Sequence, residues 1–168
     1  MMKPIKQSQI EKAEEKIKNF SEKEFQTYLQ KIESAQPDFF EYLDYLLEVF
    51  DDREDFQEKF IFYLAVLNLS YKNAYEFIPA FDKQWIMEVE EKNMAVMESL
   101  SELEGEEQDE MAEKQIADHF QITMLEYLEN DLFDEKEEYD DEMLELDTQI
   151  FWMMKGLIDL YDLALTRI

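Results

Sequence analysis

The stretch FFEYLDYLLEVF, Phe39 to Phe50, decides the fold class. Its apolar residues recur at helical spacing, with Phe39, Leu43, Leu46, Leu47 and Phe50 as core positions and Glu41, Asp44 and Glu48 left as a narrow polar stripe. A helix that is apolar over most of its circumference has to be surrounded by other elements, so a bundle is expected around it. Pro37 suits the first turn, where its missing N–H costs nothing, and Asp38 beside it complements the helix dipole.

The flanking segments carry the same period. Upstream, Ile10, Ala13 and Ile17 mark one short amphipathic helix. Ser21-Glu22-Lys23-Glu24 then reads as a capping box opening a second, with Phe25, Tyr28, Leu29 and Ile32 on one face. Downstream, Asp51-Asp52 marks a break, and Phe56, Phe60, Tyr63, Leu64 and Leu67 predict a buried helix up to about Ser70. From Tyr71 to Phe81 the pattern loosens, with Asn73 and Pro79 as breakers, so a helical turn and a connection are expected. Asp82 is placed to cap a long helix carrying Ile86, Val89, Val96, Met97, Leu100 and Leu103, which is expected to end near Gly105 as its C-cap. Met111, Ile116, Phe120, Met124, Tyr127 and Leu128 predict one further helix, Asn130 to Asp140 a loop, and Glu142 to Ala164 a last helix.

Composition agrees. Two Gly and three Pro are too few to punctuate an all-β chain, and the apolar content supports a core despite the charge. A length of 168 residues suits one domain. The expected architecture is therefore an all-α, single-domain bundle of six to eight helices over residues 1–168, with helices 39–50, 56–70 and 143–164 as its core. Cys is absent, which excludes disulfides, thiolate nucleophiles and Zn-thiolate sites and fits a reducing compartment. The first twenty residues lack the apolar run of a signal peptide, and the most apolar stretch, Ile150 to Ile168, is interrupted by Lys155, Asp159, Asp162 and Arg167. A soluble, cytoplasmic protein is expected.

Charge is the most unusual property. Forty-three acidic residues against 16 basic ones give −27 at pH 7. Residues 1–84 hold 11 basic and 17 acidic groups, whereas residues 85–168 hold 5 and 26. The excess gathers between Trp85 and Asp147, where hydrophobic periodicity persists, so an acidic folded face is expected there in preference to an acidic tail. Solubility needs a net charge of only roughly 2 to 8 in a small domain, and concentrated like charge opposes compaction. Such a field repels phosphate backbones and anionic lipids, so neither direct nucleic-acid binding nor membrane binding is expected.

Catalytic constellations are few. The single histidine, His119, is the sole imidazole available to a Ser-His or Cys-His pair. A di-iron bundle needs Glu-x-x-His twice, and an EF-hand needs a central Gly among alternating acids; neither pattern is present. Glu126-x-x-Glu129 followed by Glu138-x-x-Asp141 places two acids on one helical face and two on the next. In this it resembles the all-α nucleotide pyrophosphatases, and the resemblance implies Mg²⁺-dependent nucleotide hydrolysis. No family is assigned on it. Eight residues between Glu129 and Glu138 make a tight connection for facing helices, and Glu41-x-x-Asp44 and Asp159-x-x-Asp162 share the spacing. On α-helical spacing Lys155 is also placed to pair with Asp159.

The expected function is a non-enzymatic interaction protein with no cofactor and no metal, whose acidic face binds a basic protein. It would inhibit or sequester that partner as immunity proteins and antitoxins do, or mimic DNA toward a nucleic-acid-binding protein. The expected contacts are Glu104, Glu106, Glu107, Asp109, Glu110, Glu135, Glu137, Glu138, Asp140, Asp141 and Glu142. The alternatives are the Mg²⁺-dependent hydrolase and a scaffold that self-associates around Trp152. In the last, Trp85, Phe151, Trp152, Met153 and Met154 exceed what one helix face hides.

Overall fold

The computed structural model describes residues 2–134 and 140–167. Those residues form eight α-helices and no strand: α1 Gln7–Lys18, α2 Glu22–Ala35, α3 Pro37–Leu47, α4 Glu54–Ala74, α5 Lys83–Ser101, α6 Gly105–Ala117, α7 Ile122–Leu132 and α8 Asp141–Thr166. A single 3-10 turn, Glu48–Phe50, extends α3. The chain is an all-α bundle.

Two helices carry the centre, α4 and α8. Helix α3, expected to join them and to be surrounded, keeps one face open, with Tyr45 56% and Val49 of its 3-10 extension 49% exposed, because only Phe39, Leu43, Leu46 and Phe50 turn inward. Helix α4 is buried without interruption from Tyr63 to Tyr71, and α8 from Ile150 to Ile158. Side chains around the whole circumference of both are covered: α1 packs along α4, α5 along α8, and α7 closes a further side of α8. Phe151, Trp152, Met153 and Met154 are therefore all buried, at 9% exposure or less, because α8 has neighbours on several faces and not one. Where the two central helices meet, Tyr71 stacks on Tyr161 with ring centroids 4.7 Å apart, and Phe81 meets Tyr161 edge-on at 4.8 Å.

Local signals hold where they rest on side-chain chemistry. Ser21 accepts the Glu24 N–H and Glu24 returns the bond to the Ser21 N–H, both at 3.1 Å. Pro37 opens α3, and Asp82 caps α5 by accepting the Gln84 N–H at 2.7 Å.

Four boundaries differ from the periodicity. Helix α7 runs through Asn130 to Leu132, into the segment expected as a loop, and the other three have causes in specific contacts. Helix α4 runs one turn past Ser70, to Ala74, since Tyr71 is drawn inward onto Tyr161. Gly105 does not close α5, which ends at Ser101; with φ of +60° it turns the chain into α6, while Gln108 Nε2 donates at 2.9 Å to the Leu100 carbonyl, which also accepts the Leu103 N–H. The segment read as one helix from Met111 to Leu128 is two. The chain turns between Ala117 and Ile122 because Gln121 is fully buried, accepting the Ile5 N–H at 2.8 Å and donating to Asp162 at 2.9 Å.

A second glutamine works the same way. Gln36, at the α2–α3 junction, donates to the Pro79 carbonyl at 2.8 Å and accepts the Phe81 N–H at 2.7 Å, which fixes the helix-free connection between α4 and α5. No helix among the described residues is long and apolar enough to cross a membrane.

Candidate functional site

Helices α5, α6, α7 and α8 enclose a cleft of about 650 Å³. Its floor is Leu100, Phe151 and Trp152, all nearly inaccessible, with Met97, Ile116 and Phe133 around them. Its rim carries three exposed carboxylates from three helices: Asp109 of α6, Glu129 of α7 and Glu145 of α8. Among the described residues no Lys, Arg or His lines it.

The wall made by α6 is unusual. None of its thirteen residues is buried; Met111, Ala112 and Ile116 are only half covered against the core. An isolated helix this short is marginal in water, so α6 depends on that partial packing and on the Gln108 bond to the end of α5. Glu106 and Glu107 occupy its first turn, where negative charge also favours the helix dipole.

The expected contact residues divide by environment. Glu104, Glu106, Glu107, Asp109 and Glu110 are exposed on α6 or just before it, and Asp141 is exposed in the first turn of α8. Asp140 is exposed but caps α8, accepting the Met143 N–H at 2.8 Å. Glu142 is paired within the chain, with Arg53 at 3.0 Å. Glu135, Glu137 and Glu138 lie outside the described residues. Asp109 alone of the described candidates reaches the cleft; Glu129 and Glu145, which also line it, are additions that the charge runs did not single out. Asp147, counted in the acidic stretch, is not on its surface at all: it is completely buried, with Lys59 Nζ 2.6 Å from its carboxylate.

His119 belongs to a different cluster. The Gln121 backbone N–H donates to Nδ1 at 2.9 Å, so Nδ1 accepts and the ring proton sits on Nε2, which donates to Asp159 at 2.6 Å. Lys155 completes the arrangement 2.9 Å from the second Asp159 oxygen. Both ring nitrogens are thereby used, and neither is left for a substrate proton or a metal. Burial pushes the Asp159 carboxyl upward, but the His119 bond and the Lys155 charge outweigh it and hold it below the ordinary value. One turn on, burial prevails at Asp162: its carboxyl is raised, although Tyr71 and Gln121 both donate to it.

Glu126 and Glu129 are exposed on α7 and Asp141 on α8, while Glu138 lies outside the described residues. Among the described residues no three His, Asp or Glu side chains are grouped as metal ligands. A feature absent from the charge runs is a second cleft, lined by Lys16 of α1, Lys23 and Lys31 of α2 and Lys72 of α4, with Phe20 and Tyr28 between them. Comparison with protein families, curated proteins and solved structures finds no match to this chain.

Proposed function

We propose that this protein is a non-enzymatic interaction module whose acidic surface over residues 85–147 docks a basic protein, inhibiting or sequestering it or standing in for the phosphate array of DNA. The observation that supports this reading is the cleft enclosed by α5, α6, α7 and α8, where an apolar floor is ringed by Asp109, Glu129 and Glu145 with no cation among the described lining residues. The two parts have separate physical roles. The acidic field steers encounter with a cationic partner, raising association rates by roughly 10- to 1,000-fold at low salt. The apolar floor then supplies desolvated contact that slows dissociation.

The test is capture of partners from native lysate by the immobilised chain, with elution by rising salt. A partner held by charge elutes as screening shortens to about 8 Å near physiological ionic strength. Replacing Glu106, Glu107, Asp109 and Glu110 together by their amides is expected to abolish capture while the protein stays folded, because all four are exposed. An unchanged set of captured proteins would refute the proposal.

A further inference from the structure

The shape of the cleft restricts what form the partner takes. Its two long walls come from α6 and α8. Among the lining residues, Gln108, Ala112 and Ile116 make one row on α6 and Leu144, Thr148 and Trp152 one row on α8, with Asp109, Glu145 and Phe151 beside them. Both sets follow i, i+4, i+8, so each wall is a ridge of about 12 Å, or a little over two helical turns. Ridges of this kind leave a groove that accepts the i, i+3, i+4 ridge of another helix.

An extended peptide fits less well. The walls are helices whose backbone N–H and C=O groups are already bonded within the helix, so they offer no main-chain partners to a strand. Two polar side chains on the walls already donate within the chain, Gln108 to the Leu100 carbonyl at 2.9 Å and Thr148 to the Leu144 carbonyl at 2.7 Å. A helical occupant satisfies its own backbone and needs from the cleft only apolar contact and charge. The three rim carboxylates fix the sign of that charge. A second copy of this chain is a poor occupant, since each copy carries −27.

We infer that the cleft receives an amphipathic helix of about two turns from a basic partner, its apolar stripe on Ile116, Phe151 and Trp152 and its flanking Lys or Arg side chains facing Asp109, Glu129 and Glu145. This rests on the reading of the acidic surface as a docking face for a basic protein. On α6 an occupant would cover Ala112 and Ile116, which line the cleft and are only half covered by the core.

Three synthetic peptides of equal length, about 14 residues, separate the possibilities. The first is a Leu/Lys peptide patterned to put its leucines on one helical stripe. The second has the same composition with the leucines scattered, and the third is oligolysine. Each is titrated calorimetrically into the full-length protein at about 0.15 M salt. Tryptophan emission is followed in a Trp85→Phe background, which leaves Trp152 on the cleft floor as the reporter.

The striped peptide is expected to bind one-to-one, at least tenfold more tightly than the scattered one, and to shift Trp152 emission. Leu144→Gln is expected to weaken it about tenfold without a change in charge, by removing an apolar contact at the lip. Leu144 is 45% exposed, so this variant should remain folded. Equal binding by all three peptides would overturn the helix inference and leave the basic-partner reading standing. Striped-peptide binding that is insensitive to Leu144→Gln would place the contact elsewhere and also overturn it. No binding by any of the three would overturn both.

Discussion

Asp159 and Asp162 stand one turn apart on α8, and their surroundings displace the two carboxyl groups in opposite directions. Asp159 accepts from His119 on one oxygen and from Lys155 on the other. Asp162 accepts from both Tyr71 and Gln121 on a single oxygen, Oδ1. The difference has a measurable sign. Asp162→Asn keeps an oxygen for both donors and removes a desolvated charge, so at pH 7 it is expected to be neutral or to stabilise by up to about 1 kcal/mol. Asp159→Asn turns an N–H₂ toward one of two donors and is expected to cost about 1–2 kcal/mol.

The same pair makes opposite contributions to pH dependence. Asp159, lowered in the folded state, contributes stability that is present above its ordinary value of 3.8 and is lost as pH falls through the folded value. Asp162, raised in the folded state, costs stability as pH rises from 3.8 through its folded value. The slope of urea midpoint against pH from pH 3 to 7 is therefore expected to be more negative than the parent's in Asp159→Asn and more positive in Asp162→Asn. Parallel profiles for the parent and both variants would contradict these assignments.

Lys59 and Arg53 separate buried from exposed ion pairs on one helix boundary. Lys59 contacts Asp147, whose carboxylate is completely inaccessible, whereas Arg53 contacts Asp55 and Glu142, both about two-thirds exposed. Lys59→Met is expected to cost about 3 kcal/mol, because it removes a partner from a buried charge. Arg53→Met is expected to cost far less, since solvent already screens its pairs. Denaturant unfolding of the two variants checks the contrast, and equal losses would refute it.

Gly156 is a position where the usual helix rule reverses. Alanine in a helix interior normally stabilises relative to glycine by about 1 kcal/mol. Here an added Cβ would lie 2.9 Å from Asn93 Nδ2, which donates to the Trp152 carbonyl at 2.9 Å. Relief means moving Asn93 and breaking that bond. Gly156→Ala is expected to destabilise the parent and to stabilise the Asn93→Ala variant, with a coupling of about 1.5 kcal/mol across the cycle. A coupling near zero would show that Asn93 is not what reserves the position for glycine.

Gln121 holds the amino-terminal segment. Its Oε1 accepts the Ile5 N–H, and Ile5 is 1% exposed. Gln121→Met preserves bulk but leaves that N–H without its acceptor. Amide exchange at Ile5 is expected to accelerate by at least tenfold, with little change at Leu64 in the middle of α4. Equal acceleration at both sites would indicate global destabilisation and not local release.

Helices were legible in the sequence where one face or one cap determines them. The apolar repeat at Phe39 to Phe50, the Ser21–Glu24 box and Asp82 act within a few residues, so they need no knowledge of distant neighbours. The break between α6 and α7 was not legible. What makes it is Gln121 reaching Ile5, 116 residues away, and Asp162, 41 away, and nothing in the local period announces such bonds.

Of the candidate site, charge density was legible and shape was not. The acids of α6 are contiguous in the chain, whereas the cleft draws on four helices and takes Glu129 and Glu145 from outside the dense runs. Likewise Lys16, Lys23, Lys31 and Lys72 form no basic run, yet three helices bring them to one cleft.

The sequence by itself determined that the chain is helical, where most of its helices start, and that its second half is strongly negative, since period, caps and charge are sums over neighbouring residues. Only the tertiary structure decided which apolar faces close on one another and which stay half open. That choice depends on the packing of side chains far apart in the chain, and it leaves α6 partly uncovered beside Phe151 and Trp152.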